Sequence, residues 1–197
     1  MDEKLNLKRW IELKASEIIL QMIIVVFSIV LALTVDEWRS SRSQKELAEQ
    51  AYTSVLNELK ENRKELTDGL TSNDSILIVV ARQLKTKLPQ KSGIPFAFSQ
   101  LSSAAWQTSQ TTQTIHLVNF QRLIKIAQVY EIQTLYQSLQ TKFINEIGES
   151  WVDGSEERMR TIWKKGGVQL ALLNQIGHEL VKQYSTILSD STTVITN

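Results

Sequence analysis

The sequence predicts an all-α protein with a membrane anchor, and two observations support that fold class. Only two prolines and seven glycines occur in 197 residues, so few positions interrupt a helix. One uncharged apolar run is long enough to cross the hydrocarbon core of a bilayer. We therefore expect an N-terminal amphipathic helix, one transmembrane helix that continues into a stalk, and a soluble helical bundle.

The apolar run extends from Ile18 to Val35 and contains 18 residues without a charge. As a helix it rises roughly 27 Å, close to the thickness of the hydrocarbon core. Trp10 and Trp38 flank the run, and tryptophan favours the membrane–water interface. The alternative is a buried helix of a soluble protein, but such a helix is usually shorter or polar on one face. The transmembrane helix is therefore predicted over residues 17–36, with the lipid bilayer as its partner.

Within this run, Gln21, Ser28 and Ala32 lie on one face of the helix. Polar and small residues on one stripe suit contact between helices in lipid, so this stripe is a candidate for pairing between copies. The alternative is that single uncharged polar residues are tolerated without a partner. Four basic residues precede the run and three follow it, and a difference of one charge does not fix the orientation of the helix.

The chain outside the anchor divides into four predicted segments. Residues 1–16 form an interfacial amphipathic segment, residues 37–70 a stalk helix, residues 71–190 a soluble helical domain, and residues 191–197 a flexible tail. Apolar residues at spacings of four and seven predict the buried face of the stalk: Leu47, Ala51, Val55, Leu59, Leu66 and Leu70. Gly69 is the predicted end of the stalk helix.

The soluble domain is predicted to contain four helices, over about 74–88, 97–110, 119–148 and 156–188. A turn is expected over 111–118, because its threonines disfavour a helix. Asn119 is the predicted N-cap of the helix that follows the turn. Pro89 to Pro95 is the clearest loop, and Gly166–Gly167 marks a candidate kink. The predicted inward positions include Val79, Val80, Val129, Tyr136, Phe143, Trp163, Leu170, Leu173, Leu180 and Ile187.

Residue types and motifs that carry catalysis are scarce. There is no cysteine, which excludes disulfides, thiolate metal sites and cysteine nucleophiles. His178 is followed at position 182 by lysine, so the zinc-binding His-Glu-x-x-His motif is absent. No phosphate-binding glycine loop or nucleophile elbow occurs either. The sequence therefore predicts a protein that is not an enzyme and has no metal or cofactor, and a net charge of +1 gives no indication of DNA binding.

The segment from Trp106 to Arg122 combines an aromatic ring, neutral hydrogen-bonding side chains, a histidine and an arginine. This mixture suits a polar ligand with aromatic faces, such as a nucleobase. The candidate ligand-binding residues here are Trp106, Gln107, Thr108, Gln110, Thr111, His116, Asn119, Arg122 and Lys125. A second basic cluster, Lys85, Lys87 and Lys91, is a candidate for phosphate contacts. The alternative is a helix–turn–helix corner with Trp106 in the core and the glutamines and threonines in water.

Two stretches of sequence carry a family resemblance. The first is LALTVDEWRSSR, and the second is AAWQTSQTTQTIHLVNFQRLIKIAQVYEIQTLYQ. They resemble small bacterial single-pass membrane proteins in which an Asp-Glu-Trp-Arg run follows the anchor. The second block of that family begins Ala-Trp-x-Thr and later contains Val-Tyr-Glu, which fall here at Ala105, Trp106, Thr108, Val129, Tyr130 and Glu131. Thr112 and Gln113 stand where that family is expected to have a glycine.

The resemblance implies an anchored helical domain. The organisation is also similar to membrane effectors of type III CRISPR defence, which bind a cyclic oligoadenylate through a cytosolic oligomer and then perturb the membrane. It implies a homo-oligomer, with a tetramer as one candidate, in the bacterial inner membrane with a cytoplasmic soluble domain. The alternative is a non-catalytic accessory or scaffold protein that binds a partner protein through an exposed face of the last helix.

Overall fold

The computed structural model describes residues 2–85, 95–149 and 156–192, and these residues are mostly helical. The helices are α1 (Asp2–Lys85), α2 (Ala104–Thr111), α3 (Phe120–Glu149) and α4 (Glu156–Thr192), with a 3₁₀ helix at Thr114–Leu117. Within the described ranges there is no strand, and the predicted all-α class is confirmed.

The chain divides into two compact units, Met1–Leu47 and Ala48–Asn197. In the first unit, the side chains from Ile18 to Val35 are all exposed. The helix that contains them is long and apolar enough, by length and composition, to cross a membrane. The burial of the side chains of residues 1–16, Trp10 included, lies outside the description. So do residues 86–94, which include most of the loop predicted over Pro89 to Pro95, and residues 193–197 of the predicted tail.

The second unit packs three long helices around two clusters of buried side chains, and Phe96 packs against both clusters. Helices α1 and α3 are parallel, because Glu58 bonds to Tyr130 and Asn62, further along α1, bonds to Gln133, further along α3. Pairs between α1 and α4 show that α4 runs in the opposite direction: Leu70 beside Gly177 and Val80 beside Gly167. Most of the predicted inward positions in all three helices are buried, among them Leu59, Tyr136, Trp163 and Leu180. Leu47 and Val79 were predicted inward and are exposed, since Ala48 and Val80 take the buried positions beside them.

Two predicted helix boundaries are wrong. Helix α1 does not end at Gly69 but continues to Lys85, so the helix predicted over about 74–88 is its last part. Gly69 does not end the helix. It lets Ser99 approach α1 closely, because a Cβ atom at position 69 would overlap the Oγ atom of Ser99. The helix predicted from 97 begins at Ala104 instead, and residues 95–103 are not helical.

The turn predicted over 111–118 contains the short 3₁₀ helix, and Gln113 at its start has a positive φ of 56°. This is the left-handed region, which favours glycine, so glutamine is strained here. The prediction for Asn119 is confirmed, because its Oδ1 accepts the backbone N–H of Gln121 at 3.0 Å and so caps α3. Helix α4 is helical through Gly166–Gly167 and extends to Thr192, beyond its predicted end at 188.

Candidate functional site

Asparagine and glutamine side chains hold the non-helical segment 95–103 between α1 and α3. Asn62 accepts the backbone N–H of Ser102 at 2.8 Å and donates to its carbonyl at 2.7 Å. Asn73 makes the same pair of bonds with Ala97, at 2.8 and 3.1 Å. From α3, Gln133, Gln137 and Gln140 donate to the carbonyls of Ser102, Leu101 and Ser99. These amides supply hydrogen-bond partners for the backbone of the segment, which has none from a helix or a sheet, and so hold it against α1 and α3.

Glu58 is the centre of the buried polar network. Its carboxylate accepts the hydroxyl groups of Ser102 at 2.7 Å and Tyr130 at 2.6 Å. It also accepts the backbone N–H groups of Ala105 at 2.9 Å and Trp106 at 3.4 Å. A carboxylate on α1 therefore caps the N-terminus of α2, where the side chain of Ser103 makes no capping bond.

Burial raises the pKa of Tyr130, and the hydrogen bond to Glu58 raises it further. Burial likewise raises the pKa values of Tyr136 and Tyr184. Tyr184 donates to Oε1 of Gln133 at 2.6 Å, so α4 joins the same network. The hydroxyl groups of Tyr130 and Tyr184 thus link α1, α3 and α4 as neutral hydrogen-bond donors, whereas the hydroxyl of Tyr136 is buried without a partner among the described residues.

Trp106 is a core residue, 7% exposed, and its ring stacks on Tyr130 with centroids 5.3 Å apart. This arrangement agrees with the alternative prediction, a helix–turn–helix corner with Trp106 in the core. The neighbouring candidates Gln107, Thr108, Gln110, Thr111 and His116 are exposed, and Asn119 caps α3. The structure therefore separates the aromatic ring from the polar side chains that were expected to act with it.

Arg122 and Lys125 lie together at one end of the second unit, where they line a cavity of about 20 Å³ with Tyr52 and Asp190. Lys125 forms an ion pair with Asp190 at 2.8 Å. Lys85 is 33 residues from Tyr52 along α1, which is roughly 50 Å of helix. The predicted cations of one chain therefore do not converge on one site, and Lys87 and Lys91 lie outside the described residues.

A cleft of about 180 Å³ between α3 and α4, lined in part by Arg158 and Gly166, has no counterpart among the predicted site residues. At its edge Glu146 accepts hydrogen bonds from Lys165 at 2.9 Å and Gln169 at 2.6 Å. Those bonds lower the pKa of Glu146. The residues are too far apart in sequence for spacing to reveal the pair, and among the described residues no cluster fit to hold a metal ion occurs.

The outward surface of α3 and α4 carries large apolar side chains. Leu135 is 51% exposed, Val168 66% and Leu172 50%; we call these three residues the α3/α4 face. A groove of about 120 Å³ is lined by Leu139, Phe143, Leu172 and Leu173, with Lys142 and Gln169 at its polar edge. Leu135 and Val168 each lie one helical turn from a lining residue, Leu139 and Leu172 respectively. An apolar surface with a polar rim is typical of a protein–protein contact.

No family model, curated protein or solved structure matches this chain. The family resemblance and the ligand therefore stay predictions, and the geometry alone carries the functional argument.

Proposed function

We propose that the chain is a single-pass protein of the bacterial inner membrane whose helical unit is a non-catalytic module that associates with copies of itself. The α3/α4 face is the observation that carries this proposal. Three side chains at least half exposed, beside a groove, form an apolar surface that water does not favour.

The membrane supports a second copy as the occupant of that face. Chains anchored in one bilayer are confined to a plane, which raises their effective concentration for each other without any new contact. The stripe of Gln21, Ser28 and Ala32 in the anchor would add a contact between copies in lipid. The two surfaces together would favour a homo-oligomer over a monomer.

Native mass spectrometry of the full chain in nanodiscs tests this assembly. We expect an oligomer for the wild type and a shift to monomer for Val168→Glu with Leu172→Glu, because buried unpaired carboxylates oppose the contact. Thr71→Glu is the matched control, since it adds a charge to an exposed position on α1, outside the α3/α4 face. A monomeric wild type would overturn the proposal. A wild type bound to a different protein would favour the accessory or scaffold role instead.

A second candidate is a sensor and effector that binds a cyclic oligoadenylate between subunits and perturbs the membrane in antiviral defence. It is supported by Arg122 and Lys125, which lie side by side and would be repeated around an oligomer. Binding would shift the arrangement of subunits, and the helix that continues into the anchor would carry that shift to the bilayer.

Thermal unfolding of the full chain in nanodiscs, with and without cyclic oligoadenylates, tests the second candidate. A ligand at about 100 times its Kd stabilises a protein by about 2.7 kcal/mol, which a thermal scan resolves. Arg122→Gln should remove the stabilisation, and Lys64→Gln, an exposed lysine elsewhere on the unit, should keep it. The absence of a shift with every cyclic oligoadenylate at a large excess would exclude this candidate.

A further inference from the structure

Ser99, Tyr136 and Gln140 carry buried polar atoms that no described residue bonds. Each of the three residues is at most 1% exposed. Within the described ranges, the hydroxyl groups of Ser99 and Tyr136 and the carbonyl oxygen Oε1 of Gln140 have no hydrogen-bond partner. Folded proteins pair almost all of their buried polar groups, so three unpaired atoms in neighbouring residues indicate a partner from outside the chain.

The three atoms belong to one site in the core. Tyr136 and Gln140 are four residues apart on α3 and therefore lie on the same side of the helix. Nε2 of Gln140 is 3.4 Å from the carbonyl oxygen of Ser99. Burial raises the pKa of Tyr136, and the hydroxyl of Ser99 is near enough to oppose that rise, although the two hydroxyl groups do not reach hydrogen-bond geometry. From α1, Gly69 confines Ser99, because a Cβ atom at position 69 would overlap its Oγ atom.

The corresponding glutamine seven residues earlier on α3 is fully bonded. Oε1 of Gln133 accepts hydrogen bonds from Asn62 at 3.2 Å and from Tyr184 at 2.6 Å. Its Nε2 donates to a carbonyl of segment 95–103, as Nε2 of Gln140 does. Side chains of the protein thus satisfy the carbonyl oxygen of Gln133, whereas no described side chain supplies a donor to that of Gln140.

We propose that one buried water molecule binds at this site and bridges Ser99, Tyr136 and Gln140. A water molecule offers two hydrogens and two lone pairs, and buried waters typically make about three hydrogen bonds to groups that the protein leaves unpaired. The hydroxyl of Tyr136 donates to the water, the water donates to Oε1 of Gln140, and Oγ of Ser99 makes the third bond.

Water suits these groups better than an ion does. None of the three side chains is charged, because a serine and a glutamine do not ionise and burial keeps the hydroxyl of Tyr136 protonated. A cation without a compensating charge would be costly in this core, whereas a neutral water is not. The water therefore acts as a structural ligand that ties segment 95–103 to α3, beside the direct bonds from Gln137 and Gln140.

Solid-state NMR of the full chain in lipid bilayers tests the site through magnetisation transfer from water to side-chain amides. We expect a water cross-peak at the Nε2 hydrogens of Gln140. Gln133 is the matched control and should show none, because it is equally buried and also lies beside a tyrosine hydroxyl, that of Tyr184, but is bonded by the protein itself. Ser99→Ala combined with Tyr136→Phe should remove the cross-peak of Gln140.

The sign of one substitution separates a bridged site from a dry one. Loss of a buried hydroxyl without a partner is neutral or stabilising, whereas loss of one that bonds a water is destabilising. Tyr136→Phe should therefore lower the midpoint of urea unfolding of the full chain in nanodiscs. Combined with Gln140→Met, it should lower the midpoint by less than the sum of the single changes, because both act on the same water. Combined with Gln137→Met, the control, the changes should add, because Gln137 bonds Leu101 instead.

Three outcomes would overturn the proposal. The first is an unchanged or raised midpoint for Tyr136→Phe, or a water cross-peak at Gln140 no stronger than that at Gln133. The second is full additivity of Tyr136→Phe with Gln140→Met, which would indicate a direct bond between the hydroxyl groups of Tyr136 and Ser99. The third is a wild-type midpoint that changes between Na⁺ and K⁺ while that of Tyr136→Phe does not, which would indicate a cation.

Discussion

Replacement of Glu58 by alanine should destabilise the second unit more than any other single loss of a charged side chain described above. The carboxylate is buried and accepts four hydrogen bonds, from two hydroxyl groups and two backbone N–H groups. In Glu58→Ala, the hydroxyl of Tyr130 stays buried without its acceptor, and α2 loses the group that caps its first turn. Both effects act on the folded state, so the free energy of unfolding should fall.

The magnitude follows from these two losses. A buried donor left without a partner costs about 1 to 3 kcal/mol, and loss of a helix cap costs about 1 kcal/mol. The substitution also removes the desolvation cost of burying a carboxylate, which offsets part of the loss in stability. We therefore expect a net loss of about 2 kcal/mol, which corresponds to a fall in Tm of about 4 to 8 °C for a unit of this size.

Urea unfolding of the full chain in nanodiscs, followed by near-UV circular dichroism, measures the change, because Trp106 stacks on Tyr130 beside the mutated residue. Glu61→Ala is the control, since Glu61 is an exposed glutamate one turn further along α1. In a double-mutant cycle, Glu58→Ala and Tyr130→Phe should show a coupling of about 1 to 3 kcal/mol. Equal stabilities of Glu58→Ala and Glu61→Ala would refute the assignment of Glu58 as the centre of the network.

Two further predictions concern the core. Tyr130, Tyr136 and Tyr184 have raised pKa values, so above about pH 10 the unfolded chain loses protons that the folded chain keeps. Stability should then fall by up to about 1.4 kcal/mol per pH unit for each tyrosine. In a Tyr52→Phe background, where only these three tyrosines remain, tyrosinate absorbance that develops before helix is lost would contradict this. Gly177→Ala should destabilise by about 1 to 3 kcal/mol, because its Cβ would lie 2.7 Å from Cδ2 of Leu70. In urea unfolding, Leu70→Ala should lower the free energy of unfolding less in the Gly177→Ala background than in the wild type, because it removes the clash. Equal losses in the two backgrounds would argue against the clash.

The sequence was sufficient for features that depend on local pattern. The helix period placed Leu59, Tyr136 and Leu180 in the core, and the side chain of Asn119 marked the start of α3. These succeed because a helix face and an N-cap are each set by residues within a few positions of one another.

Features that depend on distant partners could not be predicted from the sequence. Gly69 has the signature of a helix end, but it is needed so that Ser99 can approach α1. Residues 97–103 have no turn signal, and their backbone is held by side chains more than 20 residues away, including Asn62 and Asn73. The residues around Trp106 suggest that its ring could stack on a nucleobase, but the ring stacks on Tyr130, 24 residues away in the sequence. Long-range pairing outweighs local propensity at each of these positions.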